Sequence, residues 1–229
     1  MRNNECSKTC QPTSVPVRGY FRFVRTHGNC GKVIESACTC GASTLCLEGE
    51  NVRTSQVVDR VLLSKLSKKK LLDLLHFQIR NIWRVDGLYF LGIEREFGTE
   101  AASKIDEECW KTMGTLEARQ LKEVVRTREW SVPKIIDVLR LTSWALDHEE
   151  YKEVEVRRDR GLFRVVSCRT QLTRIRKGLT EFPCRPIRES YLKAFVRELN
   201  PGVVVACKIC PPGSHPENAW CEWEFSRST

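Results

Sequence analysis

Val203–Phe225 reads VVVACKICPPGSHPENAWCEWEF. Its two ends alternate and its middle does not. Val203, Val205 and Cys207 share one face of an extended chain. Cys221, Trp223 and Phe225 share one face of a second, with Glu222 and Glu224 on the other. Pro211-Pro212 opens the loop between them. The stretch is therefore expected to be a β-hairpin, Val203–Ile209 paired with Ala219–Phe225, with its apolar face packed. Cys207 and Cys221 lie symmetrically about the loop and are expected to be neighbours across the ladder.

Just before this hairpin, Pro186 to Leu199 has Ile187, Tyr191, Ala194, Phe195 and Leu199 at helical spacing. Asn200-Pro201-Gly202 stops it. Further back, Tyr151–Val156 and Leu162–Cys168 read as strands joined by Arg158-Asp159-Arg160-Gly161. Ahead of them the period is helical. Ser67 caps a helix to about Phe97, with Leu75, Ile79, Ile82, Phe90, Ile93 and Phe97 as its stripe, and Gly98 breaks it. Thr99 opens a second helix with Ala102, Ile105, Cys109, Met113 and Leu116 inward. Ser131 with Pro133 opens a third, through Ile135, Ile136, Leu139 and Trp144. The fold class expected is α+β: N-terminal helices packed on an antiparallel sheet built from two β-hairpins with an intervening helix.

The chain of 229 residues is 41% hydrophobic and 29% charged, which is globular composition. The break expected near residue 60 is compositional. Residues 1–60 hold six of the twelve cysteines, Cys6, Cys10, Cys30, Cys38, Cys40 and Cys46, at spacings that match no zinc template. They are expected to be a poorly ordered Cys-rich extension, or an upstream stretch joined by a misplaced start, with the α+β domain over 61–229. No apolar core follows the first Arg, so no secretory signal is read and a cytoplasmic location is expected. Reduced thiols follow from that location. The net charge of +9 is spread among acidic residues, as in Arg157-Arg158-Asp159-Arg160. A mixed solvated surface is expected, with no nucleic-acid or membrane partner. The oligomeric state is open.

The chemistry-bearing residues gather around the last hairpin. Cys207-x-x-Cys210 precedes the loop carrying His215, and Cys184 precedes a helix. Three readings stand side by side. Cys184, Cys207, Cys210 and Cys221, with His215 as an alternate, hold a metal, and soft thiolates at these spacings suit Zn²⁺. Or Cys184 is a nucleophile, its pKa lowered by the helix start and by Arg185 and Arg188. Or the thiols are small buried hydrophobes. Asp86 falls on the core stripe between Ile82 and Phe90, beside Trp83 and Tyr89. It is either a buried general base or a residue at a helix kink. Arg119 is a candidate for an anionic substrate or for pairing with Asp86, against an ordinary solvated position. Trp83, Arg185 and Tyr191 are the candidate substrate-binding residues. His76 and His148 read as structural, and Cys109 and Cys168 as core. No phosphate-cradling glycine loop, G-x-S-x-G or H-E-x-x-H occurs.

The segments Trp83-Arg-Val-Asp86-Gly87-Leu-Tyr-Phe90, Leu116-Glu117-Ala118-Arg119, Gly178-Leu-Thr-Glu-Phe182-Pro183-Cys184 and Cys207-x-x-Cys210-Pro-Pro … Cys221-x-Trp223-x-Phe225 resemble those of the L-2-amino-thiazoline-4-carboxylic acid hydrolase-like proteins. The resemblance spans about residues 64–226. It implies a hydrolase of a carbon–nitrogen bond in a cyclic amidine or amide. On that chemistry a metal-bound water or the Cys184 thiolate attacks the amidine carbon, and Asp86 shuttles the proton. Arg119 or Arg185 then holds a substrate carboxylate. The alternative is a non-catalytic metal- or ligand-binding, sensor-like cysteine-cluster domain.

Overall fold

The computed structural model describes residues 56–148 and 151–228. The expectations for the N-terminal cysteines lie outside those residues. Thr54–Thr229 forms one compact unit. Its first element, α1 (Gln56–Ser64), is a helix that crosses the boundary expected at residue 60. Among the described residues no helix is long and apolar enough to cross a membrane.

The architecture is α+β. After α1 come α2 (Lys68–Val125), α3 (Val132–Leu139), α4 (Ser143–Asp147), β1 (Lys152–Val156) and β2 (Arg160–Val165). Then follow α5 (Arg169–Arg176), α6 (Cys184–Leu199), β3 (Val203–Ile209) and β4 (Cys221–Arg227). The four strands form one antiparallel sheet in the order β1-β2-β4-β3. One face buries Phe163, Val165, Val203, Val205, Trp223 and Phe225 under α3 and α6. The other carries crossed ion pairs, Arg164 to Glu153 and Glu222, and Lys208 and Arg160 to Glu224. That is the in–out alternation of a half-buried antiparallel sheet.

The hairpin departs from expectation in register. Cys207 pairs with Trp223, not Cys221, and a bulge follows between Cys207 and Ile209. The long loop lets the strands slide, and Trp223 then sits at the centre of the buried face. Cys221 lies opposite Val165 of β2 instead.

Ser67 caps α2 through its hydroxyl, which accepts from the Lys70 amide. Gly98, at φ 86°, breaks the helix where the sequence expected. Both apolar stripes are less buried than expected. Ile79 and Phe90 are buried, but Leu75, Ile82 and Phe97 are exposed. After the break the buried line is Ala102, Asp106, Trp110, Gly114 and Ala118, while Ile105, Cys109 and Leu116 face solvent. On this line Gly114 brings the backbones of α2 and α6 close, at Tyr191 and Phe195. The expected third helix is two, α3 and α4, split around Thr142, whose hydroxyl caps α4 through the Ala145 amide. Helix α5 falls in a stretch to which the sequence pattern assigned no element.

Candidate active site

α6 begins at Cys184, so its sulfur stands at a helix N-terminus, where the macrodipole favours a thiolate. The preceding turn is pinned from two sides. Gln171, buried on α5, donates to the Phe182 carbonyl at 2.9 Å and accepts its amide at 2.7 Å. Arg174 donates to the Thr180 carbonyl and grips Glu94 of α2 bidentately at 2.8 and 2.9 Å. Its guanidinium also lies 5.6 Å from the Phe90 ring and 5.9 Å from Phe182. The Arg174 pairing holds the Glu94 carboxyl below its usual range. Arg174→Met leaves Glu94 with its partner gone. It is expected to cost ~3 kcal/mol in urea unfolding, the range for breaking a largely buried pair.

On the other side, the Arg185 amide donates to the Pro211 carbonyl at 2.9 Å, which docks the hairpin loop on the helix start. The buried Cys210 thiol therefore reaches Cys184 and donates to it. That hydrogen bond, with Arg188 helping and desolvation opposing, lowers the Cys184 pKa to about 7. The same contact pushes the Cys210 thiol upward. Cys207 lies close to Cys210, and its thiol is raised chiefly by burial.

One turn along α6, Arg188 is 4% exposed. Four rings surround its guanidinium: Trp144 at 4.6 Å, Tyr191 at 4.9 Å, and Trp83 and Trp110 at 5.4 Å each. Trp83 and Trp110 stack at 4.5 Å, nearly parallel. The ring faces offset part of the desolvation cost of the buried cation. Its Nε and Nη1 have no protein partner.

Facing it are two carboxyls. Asp86 accepts from the Trp110 indole N–H at 2.9 Å. Asp106 is 9% exposed, hydrogen-bonds Asp86, and leaves Oδ2 without a partner. Desolvation first, then the Asp86 charge, push the Asp106 carboxyl up to about 8, against the pull of Arg188. Asp86 is raised too, by desolvation. Such a pair shares a proton at neutral pH.

Asp86, Asp106, Cys184 and Arg188 line one chamber of about 40 Å³, closed by Trp83, Trp110 and Trp144. It holds a few atoms at most. Trp83, Asp86, Thr170 and Phe182 also line a cleft of about 450 Å³, whose rim carries Arg84, Arg169, Arg174 and Lys177. His148, expected to be structural, lines the chamber as well, and burial lowers its pKa to about 3, so the ring is neutral. Cys168, expected in the core, is on the same wall.

The other candidates lie elsewhere. Arg119 is largely exposed and pairs with Glu198 at 3.3 Å, not with Asp86. A residue on the solvent side of α2 cannot reach the buried line. Arg185 points out to Glu189 at 3.8 Å. Tyr191 is fully buried and its hydroxyl donates to Glu117 at 2.5 Å, so it braces Arg188 from behind. His215 packs at a tilt against Trp220, ring centroids 4.5 Å apart, and meets Glu181 at 3.2 Å. Among the described residues, no group of three or more His, Cys, Asp or Glu is arranged to hold a metal ion.

Residues 64–227 match the family of unknown function DUF6125. The chain belongs to DUF6125. No curated protein and no solved structure matches it. The DUF6125 match contains every element from α2 to β4, and hence the whole chamber. Two members of the site escaped the sequence reading. Asp106 sits four residues before Trp110 on a line of small residues, a polar residue where a buried face was not expected. Arg188 was read only as a neighbour of Cys184, although its position one turn into the helix turns it to the same side.

Proposed function

We propose that this DUF6125 chain hydrolyses a carbon–nitrogen bond of a cyclic amidine or amide, with Cys184 as nucleophile. The observation that carries the reading is the chamber that gathers the Cys184 thiol at a helix N-terminus, the buried Asp86 and Asp106 carboxyls and the Arg188 guanidinium, whose Nε and Nη1 have no partner. The likeness to the L-2-amino-thiazoline-4-carboxylic acid hydrolase-like proteins supports the same reaction class. The small chamber takes the edge of the ring that carries the reacting carbon and nitrogen, and the rest of the ring with its substituents occupies the cleft.

The Cys184 thiolate adds to the amidine or amide carbon, and the π electrons move to the nitrogen or oxygen, whose charge Arg188 meets with its two unpartnered N–H groups. Asp106 gives its proton to the departing ring nitrogen as the carbon–nitrogen bond breaks. Water then adds to the same carbon and returns a proton to the Asp86–Asp106 pair. The carbon–sulfur bond breaks and the thiolate is restored. The net change is substrate plus water to ring-opened product. The sequence gave Arg119 or Arg185 the task of holding a substrate carboxylate; Arg188 has a different one, at the charge that develops on the reacting group. Trp83, in the wall shared by chamber and cleft, remains a substrate-contacting residue. The reducing cytoplasm is the compartment we assign, because the described cysteines are unpaired and a thiolate nucleophile must stay reduced.

The test is turnover of a panel of five-membered cyclic amidines and amides, beginning with 2-amino-thiazoline-4-carboxylate, followed by loss of the amidine or amide absorbance. Activity is expected to peak between about pH 7, above which Cys184 is thiolate, and about pH 8, below which Asp106 keeps its proton. Asp106→Asn is expected to reduce kcat by ~10²–10⁴-fold, the usual weight of a general acid. A panel that is not turned over, or activity unaffected by Asp106→Asn, counts against the reading.

One observation favours a second reading. Cys184, Cys207 and Cys221 all lie near enough to Cys210 for their charges to act on it. These four sulfurs are the set for a non-catalytic Zn²⁺-binding domain, though they are not arranged as a ready site. Elemental analysis of the purified chain separates the two. The hydrolase reading expects far less than one zinc per chain. A full equivalent that disappears in Cys210→Ser would replace it with the second.

A further inference from the structure

The first half of α2 leaves a second apolar line uncovered. Leu71, Leu75, Ile82, Val85 and Tyr89 are 38%, 46%, 48%, 52% and 71% exposed. With Gln78 and Gly92 they follow the alternating four–three spacing of a heptad seam, Leu75, Ile82 and Tyr89 at one position and Leu71, Gln78, Val85 and Gly92 at the other. At ~100° per residue the seam lies about a quarter-turn from the buried line of Ile79 and Phe90. The body of the domain covers the line of Ile79 and Phe90 and leaves the seam open, with Leu72, Phe77 and Leu88 exposed outside it.

We propose that this seam seats the same seam of a second copy, in an antiparallel pair. The spacing is that of a helix docking on a helix, because a 3.5-residue repeat keeps one line of side chains in register with a straight partner. Antiparallel pairing about a two-fold axis near residue 80 sets Leu71 against Tyr89, Leu75 against Val85 and Gln78 against Ile82 of the second copy. Each layer then joins one heptad position to the other, and the contact is self-complementary, as a two-fold interface requires. Charge weighs against the parallel pair, which would set Lys65, Lys68 and Arg95 each against its own copy. The antiparallel pair sets Lys65 against Arg95 and brings Lys68 within about a turn of Glu96, which also pairs with Arg95 of its own chain. The five side chains expose on the order of 500 Å² per copy, so a pair removes ~1,000 Å² from water, where specific interfaces begin. The seam is not part of the chamber or the cleft, so the pairing stands or falls apart from the hydrolase reading.

The test is light scattering with size exclusion on the full chain at ~50 µM. The expected mass is twice the 26.5 kDa of one chain. Leu75→Glu with Ile82→Glu places two charges in the seam. It is expected to raise the dimer Kd at least ~100-fold and give a monomer with unchanged far-ultraviolet circular dichroism. Phe77→Glu, an exposed apolar residue of the same helix but off the seam, is expected to leave the dimer intact. A monomeric wild-type chain would overturn the proposal and assign the seam to another occupant, residues 1–53 of the same chain included. A dimer that survives the double substitution, or dissociates equally with Phe77→Glu, would overturn it too.

Discussion

Cys184→Ser is expected to lower kcat/KM for cyclic amidine or amide opening by ~10³-fold or more, because a serine hydroxyl in that place has no base to ionise it. The reactivity of the thiol itself can be measured without any substrate. Its alkylation by iodoacetamide should rise through a midpoint at about pH 7, since only the thiolate reacts and its fraction grows above the pKa. Two substitutions should move that midpoint upward, towards the ordinary thiol value of 9.0. Cys210→Ala has the larger expected effect, because the Cys210 hydrogen bond is the main cause of the lowering. Arg188→Met follows, by removing the buried positive charge. Desolvation works against both, so a chain lacking the hydrogen bond would keep a poorly reactive thiol. A wild-type midpoint near 9 would mean that Cys184 is a packing residue, and the nucleophile would have to be found elsewhere.

The parts of this site that were legible in sequence are those that local rules control. Alternation placed Cys221, Trp223 and Phe225 on the packed face, and the burial of all three follows from period two alone. Gly98 and Ser67 marked the break and start of α2 because backbone freedom and capping are local. Asp86 stood out as a carboxylate on an apolar stripe. The register of the last hairpin was not legible, because a long loop fixes no pairing and the buried Trp223 decides it. Asp106 and Arg188 were missed for a related reason. Each is polar, and each is buried only because an element distant in sequence closes over it. Trp83 and Trp144 cover Arg188 from α2 and α4, and no helical period records that. The second stripe of α2 failed in the opposite sense. Ile105, Cys109 and Leu116 are apolar and exposed, because the neighbouring line, with Ala102, Gly114 and Ala118 beside Trp110, lets α6 approach closely at Gly114.

That close approach gives the largest stability effect expected from removing no contact at all. Gly114→Ala should destabilise the domain by about 2 kcal/mol net, lowering Tm by ~4–8 °C for a chain of this size. A Cβ at Gly114 would overlap the Tyr191 carbonyl oxygen and lie 3.2 Å from its carbon and 3.3 Å from the Phe195 amide nitrogen. These are backbone atoms of α6, so no side chain can swing aside and the helices must part. Alanine's better helix propensity returns ~1 kcal/mol, which is less than the overlap costs. In the same helix, Gly87 has open space where its Cβ would be. Gly87→Ala should therefore stabilise by up to ~1 kcal/mol, so one substitution takes opposite signs along one helix. Gly161→Ala should also destabilise, because its Cβ would meet Cγ1 of the fully buried Ile136 at 2.8 Å, but by less than Gly114→Ala, since the atom met belongs to a side chain and not to the backbone of another helix. Parting α2 from α6 would also draw Arg188 away from Trp110 and Asp106, which sit on the line that Gly114 continues. The chamber would loosen, and the Cys184 alkylation midpoint of Gly114→Ala should rise along with its loss of stability. Equal Tm values for Gly114→Ala and Gly87→Ala in thermal melts would show that the two backbones are not in contact there.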